Sequence, residues 1–331
     1  MGEQLLVRAP GRVNLIGDHT DYTGGLVFPM SIDRWTDISF TADADRITLS
    51  SADDSQPVDL AVAGTEDPRS VPGWGRYIAA VRNEFAPERG CRGSVATTIP
   101  VGSGLSSSAA LEAAAAIALG FEGTPLELAQ GCQRAEHAAT GVPTGIMDQL
   151  CIAASVEGAA TMIDCESLVV TPVPMPTDVA VVVRFIAHRT LEGSEYETRV
   201  AECREAESVV GPLRKADADA VARIADPVIR RRAAHVVSEN ARVDAFAAAL
   251  AAADFAEAGR IMTDGHASLR DLYEVSTPEM DAAVDELNAI SGVFGARMTG
   301  GGFGGCVVAL CDPEADVEGW WVKPVAGAAL A

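Results

Sequence analysis

Residues 9 to 25 read APGRVNLIGDHTDYTGG, which places Arg12, Asn14, Asp18, His19, Asp21 and Tyr22 within eleven positions. Gly11, Gly17, Gly24 and Gly25 punctuate the run and permit tight turns. The polar side chains are short donors and acceptors of differing geometry, the set needed to tell apart the hydroxyls of a small polyol. An isolated turn rich in Asp, Thr and Gly is more often plain surface. Here apolar runs flank it, Leu5–Val7 before and Leu26–Phe28 after, so the loop is held between two buried strands and reads as a site.

A second motif, IPVGSGLSSSAALEAAAA, begins at Ile99. A strand ends at Pro100, and Gly102, Ser103, Gly104 and Leu105 form a loop. Ser106, Ser107 and Ser108 then open an Ala-rich helix. The free N–H groups and positive dipole end of such a helix form an anion site, and the hydroxyls can reach phosphate or a magnesium ion. A serine cap without ligand is common, but two glycines and three serines exceed what capping needs. The third motif, GVPTGIMDQ, puts Asp148 near a helix start, twelve residues after Glu136. One carboxylate for a metal and one for a substrate hydroxyl would complete a phosphoryl-transfer site. A last glycine run, MTGGGFGG, satisfies GxGxxG at Gly300, Gly302 and Gly305. Too little chain follows for a dinucleotide-binding unit, so a turn approaching substrate or phosphates fits better. There is no GxxxxGK[ST], HRDxxxxN or DFG, which excludes P-loop NTPases and protein kinases.

The elements that must position these groups follow from periodicity. The first sixty residues read as strands: Gln4–Arg8, Leu26–Ile32, Thr36–Thr41 and Arg46–Ser50. Helices are expected over Trp74–Phe85, Ser106–Leu119 and Leu126–Thr140, with a strand over Gly93–Val101. Val169–Pro176 holds three prolines and marks the expected boundary between domains 1–170 and 171–331. Beyond it come a strand at Val179–Phe185, helices over Ser194–Val210, Pro227–Ala252, Phe255–Tyr273 and Pro278–Ala289, then strand–turn–strand to Cys311. The sum is a mixed α+β chain.

With 331 residues and 48% hydrophobic content, a sizeable core is expected. A net charge of −22 with two lysines, Lys215 and Lys323, disfavours nucleic acid and anionic membrane as partners. Any triphosphate must then be held by local devices rather than by the overall field. Seven scattered cysteines without CxxC, no signal peptide and no apolar run near ~20 residues lead us to expect a cytoplasmic protein with reduced thiols. Five histidines without i,i+4 pairing make dedicated zinc binding improbable.

Together these residues resemble the galactokinase branch of the GHMP small-molecule kinases. GRVNLIGDHTDYTGG looks like its sugar signature, PVGSGLSSSAA its ATP loop and MTGGGFGG its third motif. EHAATGVPTGIMDQ, LEGSEY with Arg199, RRRAAHVVSEN and LRDLYEVSTPEMD follow in family-like order over nearly the whole chain. The resemblance implies a two-domain GHMP architecture, with an N-terminal ribosomal-protein-S5-like domain, a C-terminal α+β domain and the active site between them. It implies that Asp148 faces the sugar 1-hydroxyl with Arg12 beside it. It also implies that Asp18, His19, Asp21, Gly145 and Tyr196 hold the other hydroxyls. Ser108 and Glu136 would bind Mg²⁺, residues 102–108 the triphosphate of ATP, and Trp74 the adenine side, though core packing accounts for Trp74 almost as well. Gly301 and Gly302 would lie near both substrates. The implied activity is that of a monomeric sugar-1-kinase for D-galactose. The alternatives are a kinase for L-arabinose or an N-acetylated hexosamine, or a non-catalytic sugar sensor. Two departures stand out: galactokinases ordinarily carry glutamate where this chain has Asp18, and the chain is shorter than typical members.

Overall fold

The computed structural model describes residues 3–188 and 195–331. The first apolar run becomes β1 (Leu5–Asn14), followed by β2 (Leu26–Val27), β3 (Pro29–Asp43), β4 (Arg46–Ser51) and β5 (Val58–Ala61). Next come α1 (Gly75–Phe85), β6 (Gly90–Thr97), α2 (Ser107–Ala118), α3 (Pro125–Thr140) and α4 (Met147–Ala154). Then follow β7 (Ala159–Asp164), β8 (Val169–Pro174), β9 (Ala180–Ala187), α5 (Tyr196–Val210), α6 (Ala218–Ala222), α7 (Pro227–Ala251) and α8 (Phe255–Ser268). The chain closes with α9 (Pro278–Asn288), β10 (Val293–Thr299), β11 (Gly305–Cys311), β12 (Trp320–Val322) and β13 (Ala329–Leu330).

Three sheets result, ordered β13-β1-β3-β6-β4-β5, β10-β11-β9-β12 and β2-β7-β8. Their pairings are antiparallel except β4 with β6. Strands and helices are grouped rather than alternating, the α+β organisation expected from the sequence. Helix α2 lies across β1 and β3, and α3 packs on α1, α2 and α4. The β1–β3 register breaks between Pro10 and Gly11. The break brings the serine loop down on the strand, where the Arg12 N–H donates to the Leu105 carbonyl at 3.1 Å. A Cβ at Gly11 would stand 2.9 Å from that carbonyl oxygen, so this contact requires glycine.

Several expectations are corrected. The Leu26–Ile32 and Thr36–Thr41 stretches are not two matching strands: β3 runs unbroken through Pro29–Asp43. The three-proline stretch at the expected boundary forms a strand, Val169–Pro174, which pairs with β7 in full register. Pro172 and Pro174 fit because β8 is an edge strand, where a missing N–H costs no ladder bond. The helix expected over Phe255–Tyr273 ends at Ser268 and finishes in a π-helical turn, Leu269–Tyr273, closed by Glu274 at φ +57°. The C-terminal end returns to the first sheet, with Val7 and Arg8 opposite Leu330 and Ala329. The residues of LEGSEY up to Ser194, and the helix start expected there, lie outside the described residues.

Candidate active site

Asp148 stands in the first turn of α4, where the helix dipole favours its charge. Its Oδ1 accepts from Arg12 Nε at 2.8 Å and lies 2.5 Å from the second terminal nitrogen of Arg12. Its Oδ2 accepts from the Ser106 hydroxyl at 2.6 Å. Arg12 is 3% exposed, and its remaining terminal nitrogen donates to the Gly104 carbonyl at 2.6 Å. One arginine thus ties the end of β1, the serine loop and Asp148 together. Burial works against its charge, yet Asp148 raises the guanidinium above its ordinary value.

Arg12, Asp18, His19, Asp21, Gly145, Asp148 and Tyr196 all line one pocket, with Thr144, Met147, Gly300 and Gly301. Every residue expected to hold sugar is therefore brought to one place, from segments far apart in the chain. His19 has φ +66°, and its Nδ1 lies 2.8 Å from the Tyr22 hydroxyl, which lies 2.6 Å from the Tyr273 hydroxyl. A non-glycine residue held in the left-handed region costs energy and tends to mark function. The Tyr196 ring stacks 5.5 Å from His19 and edge-on to Tyr22 at 5.8 Å. Asp21 lies against Gly145, where a Cβ would fall on its carboxylate oxygens. Burial, then the charge of Asp148, raises the Asp21 carboxyl to about 7.

Ser106 stands at the N-terminal end of α2 at φ +62°, with its hydroxyl donating to Asp148. The Ser103 hydroxyl likewise closes its own loop on the Pro100 carbonyl at 2.6 Å. The first-turn N–H groups of α2 lack intrahelical acceptors, an arrangement suited to an anion. The Ser108 hydroxyl donates to Glu136 Oε1 at 2.8 Å, while Glu136 Oε2 accepts from Gln149 at 2.6 Å and Thr144 at 3.2 Å. No cluster of three His, Cys, Asp or Glu suited to a metal occurs among the described residues. Trp74 lines a cavity of about 300 Å³ shared with Ser107 and Ser108. Gly301 lines the same pocket as Arg12 and Asp148, whereas Gly302, at φ +77°, is packed against the Val275 carbonyl.

Sequence reading missed four side chains whose contacts brace these segments. Ser106 as a partner of Asp148 is one; Thr299, Glu239 and Arg297 are the others. The Thr299 hydroxyl binds both the N–H and the carbonyl of Asn14 at 2.9 Å. The signal for Arg297 was a charge inside an apolar strand, and Glu239 lay in a helical stretch whose face could not be assigned.

Glu112, on α2, is wholly buried, with the Gln149 side chain as its polar neighbour. Burial, then the charge of Glu136, pushes its pKa well above the ordinary value. A raised folded pKa means the fold is favoured below the unfolded value, and that advantage is lost as pH rises towards the folded one. Glu112→Gln is expected to gain about 1–3 kcal/mol at pH 8 and less at pH 5, read from urea unfolding at both pH values.

Residues 1–41 match the galactokinase galactose-binding signature, 75–156 the GHMP kinases N terminal domain and 246–319 the GHMP kinases C terminal. The sequence is 41% identical to galactokinase from Chloroflexus aggregans, over 98% of this chain and 88% of the relative. It is 40% identical to Homo sapiens galactokinase, over 94% of this chain and 85% of the relative. The crystal structure of Lactococcus lactis galactokinase complexed with galactose superposes at a TM-score of 0.92 with 29% identity, covering 99% of this chain and 95% of that one. Methanococcus jannaschii mevalonate kinase, at a TM-score of 0.72 and 21% identity over 98% of this chain and 99% of that one, shares the fold.

Proposed function

The chain belongs to the galactokinase branch of the GHMP kinases, and from that premise we propose that it is an ATP-dependent sugar-1-kinase that converts D-galactose to α-D-galactose 1-phosphate and ADP. This is the first step of galactose use by the Leloir pathway. The observation that carries the reading is the Arg12–Asp148–Ser106 contact, in which Arg12 and Asp148 line the polar pocket and Ser106 belongs to the serine loop.

Asp148 orients the sugar 1-hydroxyl and accepts its proton as the oxygen attacks the γ-phosphorus of ATP. Arg12 lies beside that oxygen and stabilises the negative charge on the transferring group, held in place by the Gly104 carbonyl. His19, Asp21, Gly145 and Tyr196 surround the remaining hydroxyls together with Asp18. Backbone N–H groups from Gly102 to Ser108 cradle the triphosphate, and the cavity beside Trp74 takes the nucleoside side. Ser108 and Glu136 would hold magnesium, because they set a hydroxyl and a carboxylate oxygen, both suited to a hard cation, together beside the phosphate loop. The bound ion supplies positive charge against the triphosphate. Positioning and electrostatics then provide most of the rate.

We take the protein to work as a monomer in the cytoplasm, divided near residue 170 into two lobes. Its seven free thiols support a reducing compartment. Its charge of −22 is against nucleic-acid binding. No helix among the described residues is long and apolar enough to cross a membrane.

An ADP-release assay over galactose, 2-deoxygalactose, glucose, L-arabinose and N-acetylgalactosamine tests the assignment, with galactose expected to turn over fastest. ADP from none of them overturns the kinase. Faster turnover of arabinose than of galactose overturns only the substrate.

A further inference from the structure

Behind the sugar pocket lies a buried cluster of charge in which only Asp18 reaches the pocket wall. Arg297 on β10 donates to Asp18 Oδ2 at 2.9 Å and stands 2.8 Å from Glu239 Oε1 on α7, with all three side chains at zero exposure. The other Asp18 oxygen accepts from the Gly300 N–H at 2.7 Å. The same Glu239 oxygen that faces Arg297 accepts from the Gly17 N–H at 3.0 Å, and its partner oxygen binds Arg242 at 2.7 Å. Asp18 and Gly300 line the pocket; Glu239, Arg297 and Arg242 do not.

Two carboxylates and two guanidinium groups make the cluster neutral, yet each had to leave water to enter it. Buried ion pairs seldom stabilise a fold more than apolar residues of the same size would. What this one does supply is geometry. Arg297 stands three residues before Gly300, so a single side chain couples the sugar signature, the third glycine motif and α7. Burial pushes Asp18 up and Arg297 offsets part of that; burial likewise opposes the Glu239 charge, but Arg297 and Arg242 outweigh it and hold Glu239 well below the ordinary range.

We propose that Arg297 and Glu239 are positioning residues of the sugar site, which fix the Asp18 carboxylate and the Gly300 amide as one wall of the pocket. The proposal rests on the sugar-kinase reading above. It makes the network act on sugar affinity and leave the nucleotide side, held by the serine loop, untouched.

Glu239→Gln keeps an acceptor for Gly17 and removes the charge; Arg297→Lys keeps the charge and removes the fork. Each is expected to raise the galactose KM on the order of tenfold, with the ATP KM and kcat within about twofold, and Arg297→Lys is the milder of the two. Galactose Kd by calorimetry without ATP rises by the same factor. An unchanged galactose KM in a folded variant overturns the proposal. So does a parallel shift of galactose KM, ATP KM and kcat, or failure of both variants to fold, since either makes the network one of stability alone. Wild-type turnover is measured first. Its absence overturns the kinase reading, while the calorimetric comparison still decides on the network.

Discussion

Asp148→Asn is expected to lower kcat on the order of a thousandfold or more while leaving ATP affinity within about threefold. The amide keeps the shape of the carboxylate but loses its charge and half its acceptors. In the parent, one oxygen faces the Arg12 fork and the other takes the Ser106 hydroxyl. An amide must set its NH₂ against one of these donors, leaving a buried polar clash at the reacting centre. Arg12, 3% exposed, also loses its counter-charge. Neither change removes a backbone N–H of the serine loop or a wall of the cavity beside Trp74, so ATP affinity is expected to change little. Single-turnover rates and calorimetric ATP titration separate the two effects, and a kcat within tenfold of the parent removes Asp148 from the chemical step.

Asp21→Asn is expected to weaken sugar binding and stabilise the empty protein at the same time. In the parent, burial and then the charge of Asp148 lift the Asp21 carboxyl to about 7, and the N–H groups of Tyr22 and Met147 offset only part of this. Well below the ordinary Asp value of about 3.9 both folded and unfolded forms are protonated, and Asp21 costs the fold nothing. As pH rises to about 7 the unfolded chain ionises first, so stability falls. The amide does not titrate, and the variant is expected to gain about 2 kcal/mol over the parent at pH 8 but only about 0.5 kcal/mol at pH 4, with partial exposure of the group taken into account. The ionised form is the better acceptor for a sugar hydroxyl. The parent's kcat/KM for galactose therefore rises as pH passes through about 7, and the variant's does not. Its galactose KM is raised on the order of tenfold or more. Thermal melts and KM profiles from pH 5 to 8 check both halves. A variant that retains the parent's inflection moves the titration to another group.

Much of the site was legible because its parts are local. The three glycine-bearing loops announce themselves by composition, and Asp148 and Glu136 stand near helix features that periodicity can place. The β-strand of the third motif and the helices before it were legible for the same reason. What could not be read was whatever depends on partners distant in the chain. The prolines of β8 gave no sign of a strand, because a sequence does not show that a segment lies at a sheet edge. The return of Ala329–Leu330 to β1 rests on two register positions. Ser106 looked like a phosphate ligand, and only the approach of α4 shows its hydroxyl bound to Asp148.

By itself the sequence determined the kind of chemistry, since residue types and short spacings set donors, acceptors and the anion-binding helix start. It also determined the α+β class, through periods of two and of 3.6 residues. Tertiary structure alone decided which groups meet. Arg12 and Asp148 are 136 residues apart, and Asp18 and Arg297 are 279 apart. Contacts over such separations leave no periodic trace, because they are set by how helices and sheets pack rather than by neighbouring residues. The polar loop with which the chain begins was readable as a binding loop. That its Asp18 is clamped from behind by a buried arginine was not.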